Sequence, residues 1–218
     1  MSLMPTLHQK AHPECHAPVS VVLLPAAHTA PEDFVRAGFG EAVRERALDI
    51  DLTFAALEFG HVTDRSVVER VHTEHLLPAR ARGSTLWLGG ISLGGYVALC
   101  CAARDPQGLA GLCLMAPYLG SYLVTSEIAR TGLAAWPCEN LAADDEERRV
   151  WRFLKSRAFG APQMHLGLGR EDRFRDRHEL LAAELRPAEV DTVAGGHDWP
   201  TWRRLWDNFL DVRLTPRR

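Results

Sequence analysis

Short apolar runs, separated by longer stretches with helical spacing, are the feature that most constrains how this chain can fold. The runs are nearly continuous in apolar residues, a pattern typical of strands buried on both faces of a sheet. They are Val19–Leu24, Asp51–Leu57, Thr85–Gly89, Leu109–Met115, Met164–Leu168 and Val190–Val193. Helical spacing recurs between them, as in Tyr96–Ala103 and in a last segment beginning near Pro200. This alternation predicts an α/β fold with a mostly parallel, twisted sheet and helices on both faces.

The length of the chain favours a single domain. Its 218 residues are at the large end of one domain, and a content of 46% hydrophobic and 24% charged residues is ordinary for a globular protein. Residues 1–17 are polar and aperiodic, so we predict a disordered tail there and one domain over residues 18–214. Residues 118–160 interrupt the alternation after the fourth predicted strand, which marks them as an insert.

Charge, cysteine content and hydropathy bear on the partners and location of the chain. A net charge of −3 without a dense Lys/Arg run gives no indication of a nucleic-acid partner. The five cysteines form no spaced framework, and no apolar run approaches the roughly 20 residues of a membrane span. Because the first residues also lack the apolar core of a secretory signal, we expect a cytoplasmic protein.

Several histidines and a cysteine in the first 17 residues have spacings that a metal ion could use. They are His8, His12, Cys15 and His16. A loose tail with chance histidine content is the favoured interpretation, because no second pair of ligands accompanies them. We therefore predict no metal site.

The motif Gly90-Ile91-Ser92-Leu93-Gly94 lies between a predicted strand and a predicted helix. This is the context of a nucleophile elbow, a turn so tight that the residues two before and two after the serine must lack side chains. Gly90 and Gly94 meet that demand, and Gly95 leaves room for close packing of helix on strand. The pattern favours Ser92 as a nucleophile at the N-terminus of a helix; a Gly-rich turn without catalytic function is the alternative.

A serine hydroxyl needs a base to accept its proton, and the base needs an acid to orient it. His197, in Gly195-Gly196-His197, is the one histidine that directly follows the last predicted strand. The loop after the preceding strand offers Asp172, which we select as the acid, with Glu171 and Asp176 as less favoured substitutes. The chain order serine, acid, histidine is the one expected for a nucleophile elbow on such a sheet.

From about Val19 to Leu210 the sequence resembles the α/β-hydrolase superfamily, on the strength of these three motifs and their order. The closing segment Gly195–Trp199, followed by Trp202, is similar to the esterase branch that includes enterochelin-esterase-like proteins. The resemblance implies an oxyanion hole from the N–H groups of Leu93 and of a residue after the first strand, Ala27 by alignment. Here the chain departs from the family, which often has His-Gly where this chain has Pro25-Ala26. The resemblance also implies that the 118–160 insert is lid-like.

The expected function is hydrolysis of a small or medium carboxylic ester through an acyl-enzyme, without metal or organic cofactor. An acyl thioesterase with the same triad, or a binding module without catalysis, are the alternatives. Candidate pocket residues are His28, Tyr118, Trp136 and Trp199, for each of which packing or solvation is the competing interpretation; His61 also follows a strand on the same side. The sequence does not indicate an oligomeric state.

Overall fold

A computed structural model describes residues 3–57, 66–142, 144–157 and 162–215 of the chain. These residues form a seven-stranded sheet in the order β1-β3-β2-β4-β5-β6-β7. The strands are β1 Thr6–Gln9, β2 Val19–Leu24, β3 Ile50–Ala55, β4 Thr85–Ile91, β5 Leu109–Met115, β6 Gln163–Gly169 and β7 Val190–Val193. β2 to β7 pair in parallel, so the predicted mostly parallel sheet is confirmed.

Helices cover both faces of this sheet. They are α1 Pro31–Arg36, α2 Phe39–Glu45, α3 Ser66–Val71, α4 Leu77–Ala81, α5 Leu93–Arg104, α6 Tyr122–Thr131, α7 Glu146–Lys155, α8 Arg175–Ala182 and α9 Trp199–Phe209. A π-helical turn, His72–Leu76, joins α3 to α4, and another, Leu210–Leu214, follows α9. None of the helices within the described ranges is both long and apolar enough to cross a membrane.

The prediction of a loose tail over residues 1–17 is wrong for one segment. Thr6–Gln9 forms β1, which pairs antiparallel with β3 at the edge of the sheet. Further contacts fix this segment, since the Met4 N–H donates to Glu74 Oε2 (2.7 Å) and the Ala11 N–H to Asp51 Oδ1 (3.0 Å). Four residues carry too little periodicity to predict a strand, and the edge of β3 supplies the hydrogen bonds that order them.

Each face of the sheet buries its own hydrophobic core. One core lies beneath α3, α5 and the insert, and the other beneath α1, α2 and α9. Trp151 on α7 and Trp206 on α9 are fully buried, one in each core. Because both faces of the sheet are covered, the loops converge at the edge formed by the carboxyl ends of the parallel strands. Parallel sheets carry their functional sites at this edge.

Helices α6 and α7 of the 118–160 insert pack on the core beneath α5, and polar contacts join parts of the insert to one another. The Trp151 indole donates to the Leu119 carbonyl (2.9 Å), and Lys155 Nζ donates to the Trp136 carbonyl (2.7 Å). Arg148 on α7 pairs with Glu127 on α6, which ties the two helices together. That this insert acts as a lid stays a prediction.

Candidate active site

Ser92 occupies a strained turn between β4 and α5. Its backbone has φ 51° and ψ −112°, a conformation that a residue with a side chain adopts only under constraint. The constraint comes from β5 and the loop after it, because the Ser92 N–H donates to the Met115 carbonyl (3.0 Å) and the Tyr118 N–H donates to the Ser92 carbonyl (2.9 Å). Ser92 is half-buried, between the carboxyl end of β4 and the first residue of α5.

The glycines around Ser92 are required by close backbone contacts. A Cβ on Gly90 would overlap the backbone of Gly94, and a Cβ on Gly94 would overlap the carbonyl of Leu24. At Gly95 a Cβ would lie 2.9 Å from Pro117 Cβ, so α5 could not approach the loop after β5 as closely as it does. The steric prediction made from the G-x-S-x-G pattern is confirmed at each of these positions.

His197 and Asp172 are brought together from the loops after β7 and β6. His197 Nδ1 lies 2.7 Å from Asp172 Oδ2, and the aspartate side chain is fully buried. Because a carboxylate only accepts, Nδ1 carries the proton and Nε2 is left free to act as a base. Burial raises the pKa of Asp172, but the hydrogen bonds from His197 and from the Phe174 N–H outweigh it and hold that pKa below its ordinary value.

Aromatic rings hold the His197 imidazole on two sides. The rings of Phe174 and Trp202 meet it edge-on, each with its centroid 5.1 Å from the imidazole centroid. Phe174 belongs to the loop after β6 that carries Asp172, called the acid loop below, and Trp202 belongs to α9. Elements on both sides of the histidine therefore fix the plane of its ring. Such packing limits the rotation of a base whose orientation matters for proton transfer.

Glu171, the alternative acid, has a different role. Its carboxylate accepts a hydrogen bond from the Gly195 N–H, and its own N–H donates to the Gly195 carbonyl (3.0 Å). Glu171 therefore joins the acid loop to the base loop through the backbone, while Asp172 contacts the imidazole. Asp176, the other substitute, lies exposed in the first turn of α8.

The nucleophile is not hydrogen-bonded to the base. Within the described ranges, Ser92 Oγ makes no hydrogen bond, to His197 or to any other residue. Catalytic hydrogen bonds are often long without substrate and tighten when it binds. The acid–base pair is thus assembled, whereas the hydrogen bond between His197 and Ser92 is not formed in this structure.

Leu93 and Ala27, the expected oxyanion donors, follow the neighbouring strands β4 and β2. Leu93 is the first residue of α5, and Ala27 lies exposed in the loop after β2, whose Leu24 pairs with Gly90 of β4. In the part of the chain that the structure describes, neither N–H donates to a protein acceptor. Both donors are therefore available to a ligand.

The four candidate pocket residues have different surroundings. His28 is exposed with φ 60°, and Tyr118 is half-buried beside Tyr96, with its hydroxyl donating to Glu147 Oε1 (2.9 Å). Trp136 is 2% exposed and packs in the core, and Trp199 meets Phe34, Phe39 and Trp202 edge-on. The contacts favour packing for the two tryptophans, and substrate contact by His28 and Tyr118 stays a prediction. His61 lies outside the described residues.

Two features of the site were not found from the sequence. Ala116, just after β5, has φ 47°, and His178 on α8 is fully buried with Nε2 3.1 Å from the Pro117 carbonyl. The sequence carries no signal for either, since both conformations depend on contacts between distant segments. As for metals, no group of three or more His, Cys, Asp or Glu side chains that could hold an ion occurs in the described ranges.

Comparisons with known proteins identify a family and solved structures of similar fold. The family model described as "Esterase: Putative esterase" matches residues 73–209. An acetyl esterase from Caldicellulosiruptor saccharolyticus is 23% identical over 172 residues, 70% of this chain; the chain spans 62% of that protein's length. A ferulic acid esterase structure aligns with TM-score 0.64 and 13% identity over 98% of both chains. An S-formylglutathione hydrolase from Staphylococcus aureus aligns with TM-score 0.61 and 12% identity over 89% of this chain and 81% of that one.

Proposed function

Because the chain belongs to the esterase family and has the α/β-hydrolase fold, we propose that it hydrolyses small or medium carboxylic esters through an acyl-enzyme on Ser92. The observation that carries this proposal is the buried pair of His197 Nδ1 and Asp172 Oδ2, 2.7 Å apart. A buried aspartate facing one nitrogen of a histidine whose side chain is 11% exposed leaves the other nitrogen as a base. The strained, glycine-flanked Ser92 supplies the nucleophile that such a base serves.

The reaction runs in two halves. His197 Nε2 accepts the Ser92 hydroxyl proton as Oγ attacks the ester carbonyl, and the histidine then gives that proton to the leaving alcohol. In the second half, His197 takes a proton from water, whose oxygen attacks the acyl carbon and releases the acid. Asp172 stays ionised throughout, holding the imidazole tautomer and stabilising the imidazolium, and the low pKa of Asp172 suits that role.

The developing oxyanion is stabilised by the N–H groups of Leu93 and Ala27. The Leu93 N–H is at the positive end of α5, where negative charge is favoured. Removing one such donor typically costs about 3–4 kcal/mol of transition-state stabilisation.

The proposal is tested by intact-mass labelling of the protein with a fluorophosphonate, alongside Ser92→Ala and His197→Ala. Ser84→Ala is the matched control, because Ser84 lies before the opposite end of β4 and donates to the Ala17 carbonyl (3.3 Å). We expect one adduct on the wild type and on Ser84→Ala, none on Ser92→Ala, and slow labelling of His197→Ala. We also expect Ser92→Ala to lower kcat on 4-nitrophenyl acetate by about 10⁴- to 10⁶-fold. A folded wild type that stays unlabelled would instead favour a binding module without catalysis.

A thioester substrate is the second candidate, favoured by two arginines near the base. The guanidinium of Arg173 lies 4.8 Å and that of Arg177 5.9 Å from the centre of the Phe174 ring, which packs on His197. Cations at this position suit an acyl donor with an anionic carrier, and one structural relative is named as a hydrolase of S-formylglutathione. Ester and thioester substrates of equal acyl length separate the two candidates, and Arg173→Gln combined with Arg177→Gln raises KM only for an anionic thioester.

A further inference from the structure

His178 on α8 is a buried histidine that the proposed reaction does not use. Its side chain is fully buried, and Nε2 lies 3.1 Å from the Pro117 carbonyl. Because a carbonyl only accepts, Nε2 carries the proton and Nδ1 does not. Nδ1 has no hydrogen-bond partner in the described ranges. A buried polar atom without a partner is unfavourable, so a histidine here needs a reason that an apolar residue would not supply.

Hydrogen bonds connect His178 to the acid on one side. Asp172 Oδ1 accepts from the Phe174 N–H (2.8 Å), and the Phe174 carbonyl accepts from the His178 N–H (3.2 Å). The acid loop and the first turns of α8 are therefore one connected unit. The imidazole of His178 projects from that unit toward the loop after β5.

On the other side the connection continues to the nucleophile. Pro117, whose carbonyl accepts from His178, is followed by Tyr118, whose N–H donates to the Ser92 carbonyl (2.9 Å). Pro117 is also in close contact with α5, since a Cβ on Gly95 would lie 2.9 Å from Pro117 Cβ. Pro117 is thus held between the nucleophile helix and the His178 ring.

The segment that His178 contacts is strained. Ala116 has φ 47°, a left-handed conformation that is unfavourable for alanine and persists only when surrounding contacts hold it. The Ala116 N–H donates to the Gly167 carbonyl (2.8 Å) of β6, and Tyr118 is tied to Ser92. The bond from His178 Nε2 to the Pro117 carbonyl adds a side-chain restraint on the same segment.

We propose that His178 is a positioning residue: its Nε2–H holds the 116–118 segment and so sets Ser92 in register with the Asp172–His197 pair. This inference rests on the function proposed above. Burial lowers the pKa of His178, which favours the neutral ring. A neutral donor suits the task, because a second imidazolium beside Asp172 would compete with His197 for the carboxylate.

The test compares His178→Gln with His178→Leu. The glutamine amide nitrogen occupies nearly the position of Nε2 and can donate to the Pro117 carbonyl, whereas leucine cannot. His165→Leu is the matched control, because His165 is likewise buried (2% exposed) and both of its ring nitrogens lack a partner in the described ranges. Rates of 4-nitrophenyl acetate hydrolysis and of fluorophosphonate labelling are measured well below the Tm of each variant.

We expect His178→Leu to lower kcat and the labelling rate by about 10- to 100-fold with KM nearly unchanged, as a small misplacement of the nucleophile does. His178→Gln should recover most of that loss, and His165→Leu should keep the kcat of the wild type. If His178→Leu does not fold, His178→Asn replaces it, because its shorter amide does not reach Pro117.

Four outcomes would overturn the inference. A folded His178→Leu with wild-type kcat, or a His178→Gln as slow as His178→Leu, leaves His178 with a packing role while ester hydrolysis stands. Loss of activity in His165→Leu to the same extent would mean that any change in the buried core acts this way. A wild type that neither hydrolyses esters nor labels fails the proposed function itself, and the positioning role with it.

Discussion

The loop after β6, which carries the acid, and the loop after β2, which carries the expected oxyanion donor, are built in opposite ways. The acid loop is tied to its neighbours by the Arg170 N–H to the Val193 carbonyl (2.8 Å), by both backbone groups of Gly195, and by the Asp172 N–H to the Gly169 carbonyl (3.2 Å). The loop after β2 is an exposed turn. It is closed by two hydrogen bonds to the Ala26 carbonyl, one from the Thr29 N–H (3.3 Å) and one from the Thr29 hydroxyl (2.9 Å).

The difference follows from what each loop contributes. A carboxylate that orients a histidine must itself be fixed, so its loop needs many internal hydrogen bonds. An oxyanion donor must keep its N–H free of protein acceptors, so a turn with few internal bonds is sufficient there. Substitutions in the acid loop should therefore affect turnover through side chains, and those in the loop after β2 through the backbone.

The largest expected effect is that of Asp172→Asn. The amide leaves the geometry almost intact but favours the wrong tautomer of His197, so kcat should fall by about 10⁴-fold. Glu171→Gln is the control, because its amide oxygen can still accept from the Gly195 N–H. Steady-state kinetics on 4-nitrophenyl acetate should leave Glu171→Gln within a few-fold of wild type; equal losses in the two variants would contradict the assignment of the acid.

The second effect concerns the backbone at Ala27. The Thr29 N–H donates to the Ala26 carbonyl, and His28 has φ 60°. Residues 26–29 therefore form a turn of a type that accepts proline at its second position. Ala27→Pro removes the N–H without a side-chain clash in the turn, and we expect kcat to fall by about 10²- to 10³-fold. Ala27→Gly keeps the N–H and should keep the activity. Wild-type turnover by a folded Ala27→Pro would assign the donor elsewhere.

A smaller effect is the acid dependence of stability due to Asp172. Its pKa is lowered in the folded state, so its stabilising contribution is complete above the ordinary pKa of an aspartate and is lost as the pH falls through the lowered pKa. Urea unfolding of the wild type and of Asp172→Asn at several pH values measures this contribution. The difference in stability between the two should shrink as the pH falls through the acidic range; a constant difference would exclude linkage through Asp172.

The smallest effect is expected at His28. A left-handed conformation costs an L-residue about 1–2 kcal/mol, and the greater freedom of glycine in the unfolded chain offsets roughly half of that. His28→Gly should therefore raise Tm by about 1–3 °C. Ala47→Gly, at φ 48° and away from the site, is the control for backbone relief alone. If His28→Gly also raises KM while Ala47→Gly does not, His28 contacts the substrate.

Much of the architecture could be predicted from the sequence. Each predicted strand is present, and Val19–Leu24, Leu109–Met115 and Val190–Val193 have the predicted bounds. The strands were recognisable because burial on both faces of a parallel sheet demands continuous apolar runs. β1 was missed because Thr6–Gln9 gains its hydrogen bonds from β3, a partner that no local pattern reveals.

The sequence alone determined the elbow at Ser92, because its steric demands are met by residues adjacent in the chain: Gly90, Gly94 and Gly95. The sequence already favoured Asp172 over Glu171 as the acid, and the structure places Asp172 against His197 and Glu171 against Gly195. Only the tertiary structure put Trp136 in the core and revealed His178 against Pro117. These outcomes depend on which segments meet across the sheet edge, and the free energy of such contacts depends on distance and burial rather than on neighbouring residue types.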